Sequence, residues 1–100
     1  MIKHIVMFKI TDAENIDDRL NKALKMKSVF DNLIERIDTI RFYEVGINSG
    51  NSDSAYDLVI NSSFNTWSDL ETYVKHPEHQ EAIKLNKHIQ KVKAVIDYEI

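Results

Sequence analysis

Residues 2–10 alternate on two registers. Ile2, His4, Val6, Phe8 and Ile10 would face one side of a strand, and Lys3, Ile5, Met7 and Lys9 the other. Both registers carry apolar side chains, so both faces of this strand call for cover. Thr11, three residues before Glu14, makes a capping-box pattern. From Ala13 to Ile37 the period changes: Ile16, Leu20, Ala23, Leu24, Met26, Phe30, Leu33, Ile34 and Ile37 recur mostly at spacings of three and four. Without a Gly or Pro to interrupt it, that stripe predicts one long helix. A strand over 40–47 follows, then the turn-rich stretch Asn48–Asp53. Tyr56, Leu58, Ile60, Ser62 and Phe64 then share one face of a second strand, which completes a hairpin.

Thr66 can cap a short helix over 67–75, with Leu70, Tyr73 and Val74 inward. Pro77 cannot continue that helix but suits the first turn of another, predicted over 77–90 with Ala82, Ile83, Leu85 and Ile89 apolar. The last strand, 92–100, sets Val92, Ala94, Ile96, Tyr98 and Ile100 against Lys93, Val95, Asp97 and Glu99. The resulting order is βαββαβ, an α+β ferredoxin-like arrangement: a four-stranded antiparallel sheet with helices on one face. A chain of 100 residues makes this a single domain over 1–100. The face without helices carries Ile5, Met7, Val59 and Val95, which is too apolar for a wholly wet surface. Closing two such sheets into a dimeric α/β barrel would bury it and protect the sheet edges.

Charge narrows the partners. Thirteen Lys and Arg against sixteen Asp and Glu give a net charge of −3, where nucleic-acid binding wants a basic face. The exposed register as read here (Lys3, Ile5, Met7, Asp57, Val59, Asn61) also lacks aromatics that stack bases. With no cysteine, disulfides, thiolate zinc sites and cysteine nucleophiles are excluded. The apolar opening is broken by Lys3, His4 and Lys9, and its ten residues fall short of the roughly 20 that a membrane span needs. The default location is cytoplasmic.

The chemistry concentrates in Tyr73-Val74-Lys75-His76-Pro77-Glu78-His79. If Pro77 opens a helix, His79 falls near its third position, where the positive helix end disfavours imidazolium. A neutral His79 can accept a proton as a general base, and Tyr73 can donate to a carbonyl or a developing enolate. The plainer alternative is that His76 and His79 satisfy backbone groups at the junction while Tyr73 packs in the core. His4 shares a register with Val6 and Phe8, so it is either a satisfied core histidine or part of a pocket lining. Tyr56 and Trp67 offer further aromatic surface to such a pocket. A metal is not expected, because Pro77 spoils the helical register that would aim His76 and His79 together. Nor does a glycine-rich phosphate loop or a Ser-His-Asp pattern call for a cofactor or a covalent mechanism. Asp17, Asp18 and Arg19 read as a solvated helix face.

Over essentially its whole length the chain resembles the stress-responsive dimeric A/B barrel (Dabb) family. The matching residues are the opening run from Ile2 to Lys9, Tyr56-Asp57-Leu58-Val59, Phe64 followed by Asp69-Leu70 and Tyr73, His76-Pro77-Glu78-His79, and Val95-Ile96-Asp97-Tyr98. The resemblance implies a ferredoxin-like subunit paired through its sheet into a homodimeric barrel. Most members have no assigned activity, and some are stress-associated. One is a polyketide cyclase that closes a linear chain by aldol condensation without a cofactor. Its catalytic histidine and tyrosine look equivalent to His79 and Tyr73, and a histidine like His4 lines its cavity. Two functions are therefore expected: a non-catalytic dimer that binds a small apolar or aromatic molecule, or a cofactor-independent enzyme using the His79/Tyr73 pair.

Overall fold

The opening strand forms where its alternation places it. In a computed structural model covering residues 1–100, β1 (Ile2–Ile10) buries Ile2, His4, Val6, Phe8 and Ile10 and leaves the other register at least partly exposed. The chain continues through α1 (Ile16–Phe30), α2 (Leu33–Arg36), β2 (Phe42–Ile47), β3 (Leu58–Phe64), α3 (Trp67–Lys75), α4 (Pro77–Leu85) and β4 (Lys91–Glu99). The strands lie in the order β2-β3-β1-β4, and every neighbouring pair is antiparallel. This is the α+β ferredoxin-like sheet, with the hairpin β2–β3 as expected.

The long helix expected over 13–37 is two helices. Asn15, not Thr11, caps the first: its backbone is extended and its Oδ1 accepts from the Asp18 N–H at 2.8 Å. At Asp31-Asn32 the chain turns and re-forms a single helical turn. Asp and Asn are weak helix formers, and the interruption falls where the two stand side by side. The break sharpens the stripe. Ala23, Met26, Phe30, Leu33 and Ile37 are buried, while Ile16, Leu20, Leu24 and Ile34 stay exposed. Phe30 stacks on Phe8, ring centroids 6.2 Å apart, and so fastens α1 to the sheet.

Arg19 is not simply a solvated residue. Its Nη1 donates to the Ile10 carbonyl at 2.9 Å and to Asp57 Oδ2 at 3.2 Å. Asp57, itself buried, also accepts from the Ile10 N–H at 2.7 Å. The carboxylate thus ties the end of β1 to the entry of β3 and to α1. A buried charge is tolerated because it is paired and hydrogen-bonded.

α3 keeps its predicted bounds and its Thr66 cap, whose Oγ1 accepts from Asp69 N–H at 3.1 Å. Leu70 and Tyr73 are buried, but Val74 is exposed. α4 ends at Leu85, five residues before the predicted end at Gln90, because Asn86 closes it with bonds from its N–H to the Ala82 and Ile83 carbonyls. The following turn brings Ile89 inward.

Register corrects the reading of the uncovered face. Val95 lies opposite Val6, so it belongs to the helix side. Ile96 opposite Ile5, Ala94 opposite Met7, Val92 opposite Lys9 and Tyr98 opposite Lys3 form the uncovered side of β4. Phe42 reaches the same side from β2, and the Lys3 ammonium sits 5.0 Å from its ring centroid. The face therefore does carry aromatics, Phe42 and Tyr98. Base-stacking side chains are thus present after all, and what disfavours nucleic acid is the net negative charge.

Candidate functional site

Pro77 organises the site through the hydrogen bonds it removes. The residue before a proline is pushed out of the helical region, and His76 has φ −62° and ψ 138°. α3 therefore stops, and α4 starts with Pro77 in its first turn. His76 caps the new helix, its Nδ1 accepting from the Glu78 N–H at 3.1 Å. Glu78 would have served the Val74 carbonyl in a continuous helix. The freed carbonyl accepts instead from the His79 ring at 2.9 Å and from Gln80 Nε2 at 2.7 Å. A carbonyl only accepts, so His79 Nδ1 carries the hydrogen, and in the neutral ring Nε2 keeps its lone pair. Burial is the first cause holding the His79 pKa below the ordinary imidazole value. The Val74 carbonyl opposes this, and charge at His4, Lys93 and His76 adds to it. Burial and neighbouring charge thus stand where the helix end was expected to act.

Tyr73 is 1% exposed and lies between the two other candidates, its ring 4.4 Å from that of His79 and 6.0 Å from that of His4. Its hydroxyl is 3.0 Å from the hydroxyl of Tyr43 on β2. Burial pushes the Tyr73 phenol up to about 12, against the opposing bond with Tyr43, so it is a neutral hydrogen-bonding group near pH 7. Burial raises Tyr43 further. On β1, the His4 ring donates through Nδ1 to Asp97, its partner across β4. That carboxylate fixes the His4 tautomer.

These groups border a cleft of about 640 Å³ between α4 and the helix side of β1 and β4. His4, Val6, Phe8, Tyr73 and His79 all line it. His76, Tyr56 and Trp67 do not. The His76 ring is engaged in the cap. Tyr56 sits in the approach to β3 rather than on a strand, and the Trp67 indole donates to Glu99 on β4 at 2.8 Å. No three His, Asp or Glu side chains converge as a metal site would need.

Sequence reading missed five contributors. Tyr43 and Asp97 are partners that only sheet pairing reveals, and Asn86, Lys91 and Lys93 line the cleft. The β4 alternation had placed Lys93 on the face opposite Val92, and pairing with Phe8 would have shown which face that was.

The sequence pattern of the stress responsive A/B barrel domain matches residues 2–100. An uncharacterized protein of Streptomyces coelicolor is 34% identical over 85 residues, covering 85% of this chain and 86% of that one. A dimeric protein of unknown function from Bacteroides fragilis, with a ferredoxin-like fold, superposes with a TM-score of 0.86 at 32% identity, covering 99% of this chain and 95% of that one. A hydroxynitrile lyase from Passiflora edulis shares the fold at 16% identity and a TM-score of 0.77, over 99% of this chain and 92% of its own. With the family pattern matched from Ile2 to the last residue, on a sheet of order β2-β3-β1-β4, the chain belongs to the stress-responsive A/B barrel (Dabb) family.

Proposed function

We propose that this chain works as a cytoplasmic, stress-related homodimer whose sheets close face to face into an α/β barrel. Each subunit holds a small apolar or aromatic molecule in the cleft beneath α4, with His79 as the proton acceptor beside it. The observation that carries the reading is the bond from His79 Nδ1 to the Val74 carbonyl. It fixes the hydrogen on Nδ1, so the imidazole that burial keeps neutral has a free Nε2, on a residue that lines a cleft floored by Val6, Phe8 and Ile60.

Pairing is supported by the uncovered sheet face, where Met7, Phe42, Val92, Ile96 and Tyr98 are exposed together. Monomeric soluble proteins rarely leave an apolar patch larger than about 300–600 Å². Asn61 Oδ1 on the same face is buried without a donor within the subunit. The Bacteroides fragilis relative is itself dimeric.

The same hydrogen bond favours a catalytic use of the cleft. Nε2 of His79 takes a proton from a carbon next to a carbonyl, and the C–H electron pair moves onto the carbonyl oxygen. Tyr73 donates to that oxygen. A phenol has one O–H, so Tyr43 must then be the donor in the Tyr43–Tyr73 pair.

Titration with phenylpentanol, followed by ¹⁵N resonances of the histidine rings, tests the reading. The His4 and His79 signals should shift while exposed His88 stays in place. Motionless His4 and His79 signals, or equal shifts at His88, overturn it.

A further inference from the structure

The far end of the cleft is built for a different group from the end that holds the histidines. Asn86 is 2% exposed, lines the cleft, and its Nδ2 has no hydrogen-bond partner. That nitrogen has almost no accessible surface of its own. An unpaired buried amide is costly, so a ligand acceptor that turns it into the cleft removes the cost. Beside it, Lys91 Nζ donates to the Asn86 and Ile89 carbonyls, each at 2.8 Å. An ammonium has three hydrogens, so one remains for a third acceptor. Lys87 and Lys93 complete the rim. The whole lining holds three lysines and no acidic residue, in a protein whose net charge is −3.

Asn86 lies seven residues along the chain from His79, at the opposite end of α4, a separation of about 10 Å at helical rise. Between them the walls are apolar, with Val6, Phe8, Ile83 and Val95.

We propose that the ligand of this cleft is an elongated amphipathic acid. Its carboxylate is bound by Asn86 Nδ2 and the Lys91 and Lys93 ammonium groups, its apolar body crosses the middle, and its other end reaches His79. The inference rests on the reading that the cleft holds a small apolar or aromatic molecule, and it adds the acidic group and its orientation.

The test compares phenylpentanoate with phenylpentanol by calorimetry, with the histidine-ring NMR run in parallel. The carboxylate should bind about tenfold or more tightly than the alcohol. Asn86→Leu and Lys93→Met should each erase most of that preference, read as the ratio of the two probes' affinities within each variant. Lys93 is exposed on β4, so its variant keeps the test open should the Asn86 substitution fail to fold. His79→Ala should retain the preference. Equal affinities for the two probes, or a preference that survives in Lys93→Met and in any folded Asn86→Leu, overturn the acid assignment. They do so even where phenylpentanol still shifts His4 and His79, an outcome that leaves the cleft reading intact. Absence of binding by both probes overturns both.

Discussion

The two faces of the sheet come from the same alternating strands, yet only one is completed by its own chain. On the helix side, Val6, Phe8, Ile60 and Phe64 are covered by helices and by one another. Two polar groups admitted there are matched, His4 to Asp97 and Ser62 to the His4 carbonyl at 3.0 Å, and the Asn86 amide at the cleft is left unpaired. On the other side Ile96 is 57% exposed, and Asn61 has an acceptor without a donor. A strand of period two cannot choose cover for both faces, since the chain has helices for one layer only. Stability of the subunit should therefore reside on one face and association on the other.

The largest effect should come from Phe64→Ala. Phe64 is 0% exposed and packs 5.1 Å from the Tyr73 ring, centroid to centroid. The lost apolar contact and the residual cavity should destabilise the subunit by about 3–5 kcal/mol, read from chemical denaturation. Since total stabilities are about 5–15 kcal/mol, much of the fold's margin goes with it. A loss below about 1 kcal/mol would mean that the helix side is not where the subunit is held.

Ile96→Asp should do the converse. It places a carboxylate at the centre of the proposed dimer seam, so the dimer dissociation constant should rise by roughly a hundredfold or more. The far-ultraviolet dichroism of the monomer should be unchanged. Sedimentation measures the first and dichroism the second. A variant that remains a dimer would place the pairing surface elsewhere, and a parent that sediments as an 11.7 kDa monomer would remove the barrel altogether.

The same contrast explains what could be read from the sequence. Strands, helix order and fold class follow from periodicity, because β1 and α3 obey local rules that no tertiary contact overrides. The helix break at Asp31-Asn32 was hidden, since the apolar stripe continues through it and only burial separates Phe30 from Ile34. Face assignment on β4 needed a pairing register, which alternation alone does not contain, so Val95 and Lys93 were misplaced while Phe42 went uncounted. At the site, Pro77 made the junction legible, and His4, Tyr73 and His79 do converge on one cleft. The His76 cap, the Tyr43 hydroxyl and the unpaired Asn86 amide depend on which atoms meet in three dimensions.

The smallest predicted effect separates His79 from the remaining titrating groups of the helix side. Its pKa in the folded chain is lowered from 6.5, chiefly by burial, with charge at His4, Lys93 and His76 in the same direction. Between the folded and unfolded values the unfolded chain binds the extra proton, so stability rises with pH in that window. The contribution is complete above about pH 6.5, where both forms are neutral. It is lost as pH falls below that value, and it levels off beneath the folded pKa. His79→Gln keeps an N–H for the Val74 carbonyl but cannot titrate. Its melting temperature should therefore drop less than the parent's as the pH falls from about 7.5 through about 6.5 and below. Equal drops would mean that the folded chain protonates His79 as readily as the unfolded one does. The ring would then be cationic at mildly acid pH, and the proton acceptor would be missing from the covered face.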